Sequence, residues 1–412
     1  MSTAHQVKIN IVACEFKADP HPEYARLRAE QPVCPIKLPD KRTVWLVTRY
    51  EDAVKVLTDE RFVKNPANAL PDKTAKQPWV PRFARPLLRN LLTIDKPEHT
   101  RLRALANTAF TPRTVEQMRD RIQTVTSDLL RGLHGRQRFD LMRDFALPIP
   151  TTVIAEMLGV PPGDHEKFNR WSNSIVETTA NRWGIVRALP AALSLMRYIR
   201  ALIKDRQDNP RDDLTSELVN AEIDGERLDD DDLLSLIGLL FVAGHETTVN
   251  LIGTGVLALL QHPEQLELLR NDPELIKPAV EELLRFSSPV DVGTERYASE
   301  DLTVGDVTIP AGSLVGVAIG SANRDGCPFH NPERLNITRE PNKHIAFGLG
   351  PHYCTGASLA RLEGQVAIAS LLEAAPKIRL DVEPQKLRWR AGLIMRGLES
   401  LPVAVDEWNG SS

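Results

Sequence analysis

The 412-residue chain carries 51 basic and 55 acidic residues for a net charge of −4, which excludes the strongly basic field of a nucleic-acid binder. Its four cysteines, Cys14, Cys34, Cys327 and Cys354, form no close pair, and so point neither to a disulfide framework nor to a zinc site. Residues 1–19 mix Lys8, Glu15 and Lys17 among apolar neighbours; this predicts no signal peptide and no membrane anchor, hence a soluble cytoplasmic protein.

Apolar residues at three- and four-residue spacing predict helices over 22–30, 50–58, 97–110, 114–133, 141–158, 164–178, 190–207, 229–261, 278–286 and 357–374. Several open with proline in the first turn, where a missing amide costs nothing. In the longest, two apolar stretches flank His245-Glu246-Thr247-Thr248. A carboxylate and an imidazole at the centre are costly in lipid, so the segment reads as one buried helix of about eight or nine turns. Strand-like runs are short: 44–48, 302–304, 307–309, 314–319 and a C-terminal set from Leu387 through Leu393 to Val405. Gly305-Asp306 predicts a hairpin, and strands toward both ends predict a small sheet that ties the termini together. Residues 65–89 carry five prolines among basic residues and predict an irregular binding loop or lid. With no repeat and no linker, the expectation is one domain over 1–412, mainly α with small β-sheets.

The chemistry concentrates in Phe347-Gly348-Leu349-Gly350-Pro351-His352-Tyr353-Cys354-Thr355-Gly356, a glycine-rich loop before an alanine-rich helix. Amides at the start of that helix are placed to donate to an anionic sulfur and hold it as thiolate. A lone cysteine among apolar residues is otherwise an inert core residue. The pattern Phe-Gly-x-Gly-x-His-x-Cys-x-Gly resembles the signature of the cytochrome P450 family, in which a cysteine thiolate binds haem iron and favours O–O cleavage. The resemblance implies the P450 fold, with a long central helix over a buried haem b, and Cys354 as the axial ligand of the iron. Thr355 departs from the apolar residue common after the cysteine, and its hydroxyl is a candidate for tuning the sulfur.

Further matches follow in order along the chain. Ala243-Gly244-His245-Glu246-Thr247-Thr248 resembles the family's oxygen-binding motif, which makes Glu246 the acid that relays protons and Thr247 the alcohol that directs them. Small residues before the pair leave room for a diatomic molecule and for local widening of the helix. Glu282-Leu283-Leu284-Arg285 matches the family's Glu-x-x-Arg and Pro332-Glu333-Arg334 its third element, so Glu282, Arg285 and Arg334 are expected as a buried structural triad. Alone, the first pair reads as a surface ion pair. His99 and Arg103, one helical turn apart, with Arg296 and His352, match the positions that hold the haem propionates. Arg101, Arg361 and Lys343 are candidates for the face that receives an acidic electron donor. Leu92, Leu239, Val242, Ala243, Val290, Val292, Ile394 and Met395 are expected to line the substrate pocket, under a roof over 165–206 that includes Trp171 and Trp183.

The resemblance implies a haem-thiolate monooxygenase that inserts one atom of O2 into a lipophilic molecule by hydroxylation or epoxidation. The chain has no flavin- or NAD-binding motif, so electrons are expected from a separate ferredoxin and ferredoxin reductase, acting on a monomer. A macrolide, another polyketide, a steroid or a secosteroid is the expected substrate; a fatty acid anchored by Arg82, Arg85 or Arg89 is the alternative. A peroxide-driven enzyme of the same fold commonly has Arg-Pro in place of Glu246-Thr247. A non-oxidative haem sensor and a catalytically dead recruitment protein are competing classes, and the latter should lack the thiolate or the oxygen motif.

Overall fold

The structure, a computed structural model, describes residues 7–69, 89–168, 170, 171 and 182–410. Most of the predicted lid, including Arg82 and Arg85, and most of the predicted helix 164–178 lie outside these, as does the side chain of Trp183.

Helices form the body: α1 (His21–Glu30), α2 (Tyr50–Thr58), α3 (Glu98–Ala109), α4 (Arg119–Leu133), α5 (Pro148–Met157), α6 (Arg182–Asp208), α7 (Asp230–Gln261), α8 (Ile276–Ser287) and α9 (Ala357–Ala374). The central element is α7. Asp229 caps it by accepting the Asp232 amide at 2.7 Å, and Asp230, Asp231 and Asp232 in its first turn suit the positive end of the helix dipole. Helices α5, α6, α8 and α9 all pack against it. Two predicted helices are divided. Residues 114–133 split at Met118 into Pro112–Gln117 and α4. Residues 141–158 begin with a π-helical turn over Met142–Ala146, where the Leu147 amide donates to Met142 O at 2.9 Å. Pro148, the next residue, has no amide to continue the ladder, and α5 restarts there.

The larger sheet contains β1 (Val33–Lys37), β2 (Thr43–Val47), β3 (Phe62–Val63), β4 (Arg296–Ala298) and β5 (Leu314–Val317) in the order β1-β2-β5-β4-β3. Strand β1 pairs antiparallel with β2, with Val33 opposite Val47, and β5 runs parallel to β2, with Leu314 opposite Val44. The hairpin forms as expected, with Leu302 opposite Ile309 and Gly305 in the left-handed region. The expected C-terminal strands form only in part. Pro402–Val405 pairs with Ile378–Leu380 and Arg138–Asp140, whereas around 387–393 a single bridge joins Trp389 to Leu398. Early and late segments do share the larger sheet, where β2 pairs with β5, but the last strands pair elsewhere and among the described residues no sheet joins the two termini. Hydrogen bonds join them instead: Gly392 N to Val12 O at 2.9 Å and Arg396 Nε to Lys17 O at 2.9 Å.

Candidate active site

The cysteine loop lies between α2 and α9. Gly348 and Gly350 both take φ of 70°, in the left-handed region that side chains resist. A Cβ on Gly350 would also stand 2.9 Å from Leu57 O, so this glycine lets the loop backbone lie against α2. A 3-10 turn over Gly350–His352 and the bond from Cys354 N to Phe347 O at 2.9 Å then present the sulfur just before α9 begins. Cys354 keeps accessible surface, yet protein atoms crowd the sulfur enough for burial to push its thiol pKa up. The nearby Gly356 amide and the charges of Arg103 and Arg361 oppose that shift. They are the features that stabilise a thiolate.

Four residues matched from sequence gather beside this loop. His99, on α3, is 3% exposed, and its ring lies 4.1 Å from that of His352 between centroids. His352 Nδ1 donates to Leu91 O at 3.2 Å. One turn after His99, Arg103 donates from Nη2 to Tyr353 O at 2.6 Å, which turns its guanidinium toward the cysteine loop. Arg296 is buried at the start of β4, with a long bond of 3.4 Å from Nη1 to Phe62 O. His99, Arg296 and His352 line one cavity of about 190 Å³ with Asp95, Asn68 and Phe62. Burial, with the neighbouring charges of Lys64 and Arg296 and with His99, holds His352 neutral by lowering its pKa to about 2. Burial lowers that of His99 as well.

On α7 the burial pattern marks an open face. Most of the helix is buried, but Leu239, Val242, Ala243, Glu246 and Thr247 retain exposure at helical spacing, and Ala243 is the most open of them. Small residues at the middle thus leave the backbone accessible. The helix is continuous here, without the widening expected, and Thr247 Oγ1 donates to Ala243 O at 3.0 Å. Burial raises the pKa of Glu246, while the Arg390 guanidinium, 3.7 Å away, pulls it down. His245 turns into the core, with Nδ1 2.8 Å from Phe241 O. Two segments distant in sequence meet at the expected pocket wall: Asp291 N donates to Ile394 O at 2.8 Å, and Val290 is bridged to Met395. Val290, Ile394 and Met395 remain partly exposed, as does Leu92. Val292 does not line a pocket. It is 1% exposed, bridged to Ala318 and packed in the sheet core, because the neighbouring strand brings Gly316 against it.

The ion cluster differs from the expected triad in one member. Arg285 Nε and Nη2 each donate to Glu282 at 2.8 Å, and both side chains are fully buried. The second guanidinium on Glu282 belongs to Arg339, whose Nε lies 3.1 and 3.0 Å from the two carboxylate oxygens. Arg334 is exposed and contributes its carbonyl, which accepts from Arg285 and Arg339. Both arginines lie in an irregular segment, where no periodicity distinguishes which one turns inward. Arg101 and Arg361 are likewise engaged inside the protein, with Asp232 at 2.6 Å and Glu281 at 2.7 Å, rather than free for a partner. Lys64, Glu363 and Arg390 escaped the sequence reading as site residues, since each becomes informative only through burial or a distant neighbour.

A planar cofactor bearing two carboxylates and an iron atom fits these donors. Among buried polar atoms, His99 Nε2 has no hydrogen-bond partner, and the surrounding basic groups supply the charge that carboxylates require. The model of the cytochrome P450 family matches residues 2–386. Cytochrome P450 107B1 of Saccharopolyspora erythraea is 46% identical over 94% of this chain and 95% of its own. Vitamin D(3) 25-hydroxylase of Pseudonocardia autotrophica is 43% identical over 95% and 94%. The solved structure of the bacillaene polyketide synthase cytochrome P450 PksS of Bacillus subtilis superposes with a TM-score of 0.91 at 42% identity, covering 97% of this chain and 100% of that one. Fold, cysteine loop and whole-length similarity agree: the chain belongs to the cytochrome P450 family of monooxygenases.

Proposed function

We infer that the enzyme is a haem-thiolate monooxygenase of lipophilic secondary metabolites, one domain across residues 1–412, with Cys354 as the iron ligand. The observation that carries this reading is Cys354 presented just before α9 by the turn over Gly350–His352, beside the basic residues His99, Arg103, Arg296 and His352. Haem b, when bound, supplies the chemistry of O2 activation. The chain's own residues hold it and manage protons. Cys354 would donate charge through its sulfur, while His99, Arg103 and Arg296 would bind the carboxylates; His352, whose Nδ1 donates to Leu91 O, would join them once a neighbouring carboxylate holds its second nitrogen protonated. Glu246, partly buried yet open to the pocket, carries protons inward from solvent. Thr247 Oγ1 donates to Ala243 O and keeps lone pairs free to accept a hydrogen bond from within the pocket, which orients the proton's delivery.

The open face of Leu239, Val242 and Ala243, with Val290, Ile394 and Met395, is apolar and suits a bulky lipophilic substrate. Similarity to a polyketide-pathway enzyme and to a vitamin D hydroxylase supports a polyketide or secosteroid, while solved relatives holding fatty-acyl ligands support a fatty acid as the alternative. A ferredoxin with its reductase is the proposed electron source. The enzyme is read as a soluble cytoplasmic monomer. Asp230–Gln261 is long and apolar enough to cross a membrane, but 61% of its most apolar window is buried within the protein. Screening macrolides, secosteroids and fatty acids for a haem spin-state change tests the substrate assignment. A response to fatty acids alone refutes it.

A further inference from the structure

Lys64 immediately follows β3 and is 3% exposed, an unusual place for an ammonium group. Its three N–H bonds go to one short segment: Nζ donates to Thr294 O at 3.1 Å, to Glu295 O at 3.0 Å and to Thr294 Oγ1. That segment leads directly into Arg296, and β3 pairs with the strand Arg296 begins. Lys64 is thus a second fastening between the two strands at the point where Arg296 enters the cavity.

The acids around it are committed elsewhere. Asp95 accepts the backbone amides of Lys64 and Asn65 at 2.7 and 3.0 Å and the side chain of Asn68 at 2.8 Å. Glu295 is held by Arg42 at 2.7 Å and by Tyr297 at 3.0 Å. What faces Lys64 from the cavity side is basic. Arg296 is close enough to disfavour its charge, and Lys64 in turn helps to keep His352 and His99 neutral. Burial, reinforced by Arg296, lowers the Lys64 pKa to about 6. Left to the chain alone such a lysine is largely uncharged at neutral pH, and because its nearby acids are engaged it holds its proton only against a counter-charge from outside the chain.

We propose that Lys64 is a positioning residue for the cofactor's carboxylates: it fastens the segment that carries Arg296 and contributes a buried positive charge whose counter-charge is the haem propionates. This rests on the haem assignment above. The test compares holoenzyme of the wild type with Lys64→Met, Lys64→Gln and Lys64→Arg. It measures the rate of haem transfer to excess apomyoglobin and the Fe(III)/Fe(II) midpoint potential. Loss of the charge is expected to release haem about tenfold faster and to move the potential negative, with Lys64→Arg retaining most of the wild-type behaviour. If Lys64→Met does not fold, Lys64→Gln gives the same two readouts with donor capacity kept. Unchanged haem loss, or faster loss at an unchanged potential as for a merely structural lysine, overturns the proposal. A wild-type reduced carbon-monoxide spectrum lacking the thiolate band would instead refute the haem-thiolate assignment.

Discussion

The carboxylate of Glu246, at the middle of the central helix, lies 3.7 Å from the guanidinium of Arg390, which arrives from the C-terminal segment. Burial raises the pKa of Glu246 and Arg390 opposes it. Arg390→Gln therefore removes the opposing charge, and Glu246 ionises at a higher pH. The limb of the turnover profile that follows Glu246 is expected to move upward, and to vanish in Glu246→Gln. A profile that moves downward in Arg390→Gln contradicts the pairing.

Glu282 discriminates between two arginines five residues apart. Arg339→Ala leaves a buried carboxylate short of a charged partner and is expected to cost about 3–5 kcal/mol and to abolish haem incorporation. Arg334→Ala removes an exposed side chain whose useful group is its carbonyl, and is expected to change stability by less than about 0.5 kcal/mol. Chemical denaturation and haem content of the purified variants separate the two.

Cys354→Ser replaces the sulfur, which the charges of Arg103 and Arg361 favour as thiolate, with a poor ligand for iron. The dithionite-reduced carbon-monoxide complex of the wild type is expected to show the strongly red-shifted Soret band of thiolate ligation, and the variant to lack it. A normal band and normal turnover in Cys354→Ser would remove the basis for assigning this residue.

Glu363, on α9, is 1% exposed, and burial pushes its pKa up to about 8. The Thr248 hydroxyl opposes the shift, although neither carboxylate oxygen has a hydrogen bond of good geometry. Because the folded state holds this proton more tightly than the unfolded chain, stability falls as pH rises from about 4.5 through about 8. Glu363→Gln removes that slope and is expected to be more stable than the wild type at pH 9, by on the order of a few kcal/mol. Denaturation midpoints at pH 5 and pH 9 decide it; equal pH dependence in both proteins defeats the reading.

Local patterns made much of the fold legible. The α7 helix was readable because its apolar run is long and its first turn acidic, and the hairpin because Gly305-Asp306 has turn chemistry. The π-helical turn before Pro148 and the break at Met118 were less so, since both depend on which backbone amides find acceptors. The larger sheet was legible only in part. β1 and β3 have weak strand signals, and the pairing of β3 is decided by a segment more than 200 residues away in sequence, through the contact of Phe62 with Ala298.

The sequence by itself determined the family and the composition of the site. A glycine-rich loop around Cys354, an acid–alcohol pair on a long apolar helix and a Glu-x-x-Arg turn are local, and their spacing survives without coordinates. Tertiary structure alone decided which of two arginines reaches Glu282, that Val292 turns into the sheet rather than toward a pocket, and that the Lys64 side chain is buried. Each of these depends on burial and on partners distant in sequence, and a charged side chain changes its role when water is replaced by the groups the fold brings around it.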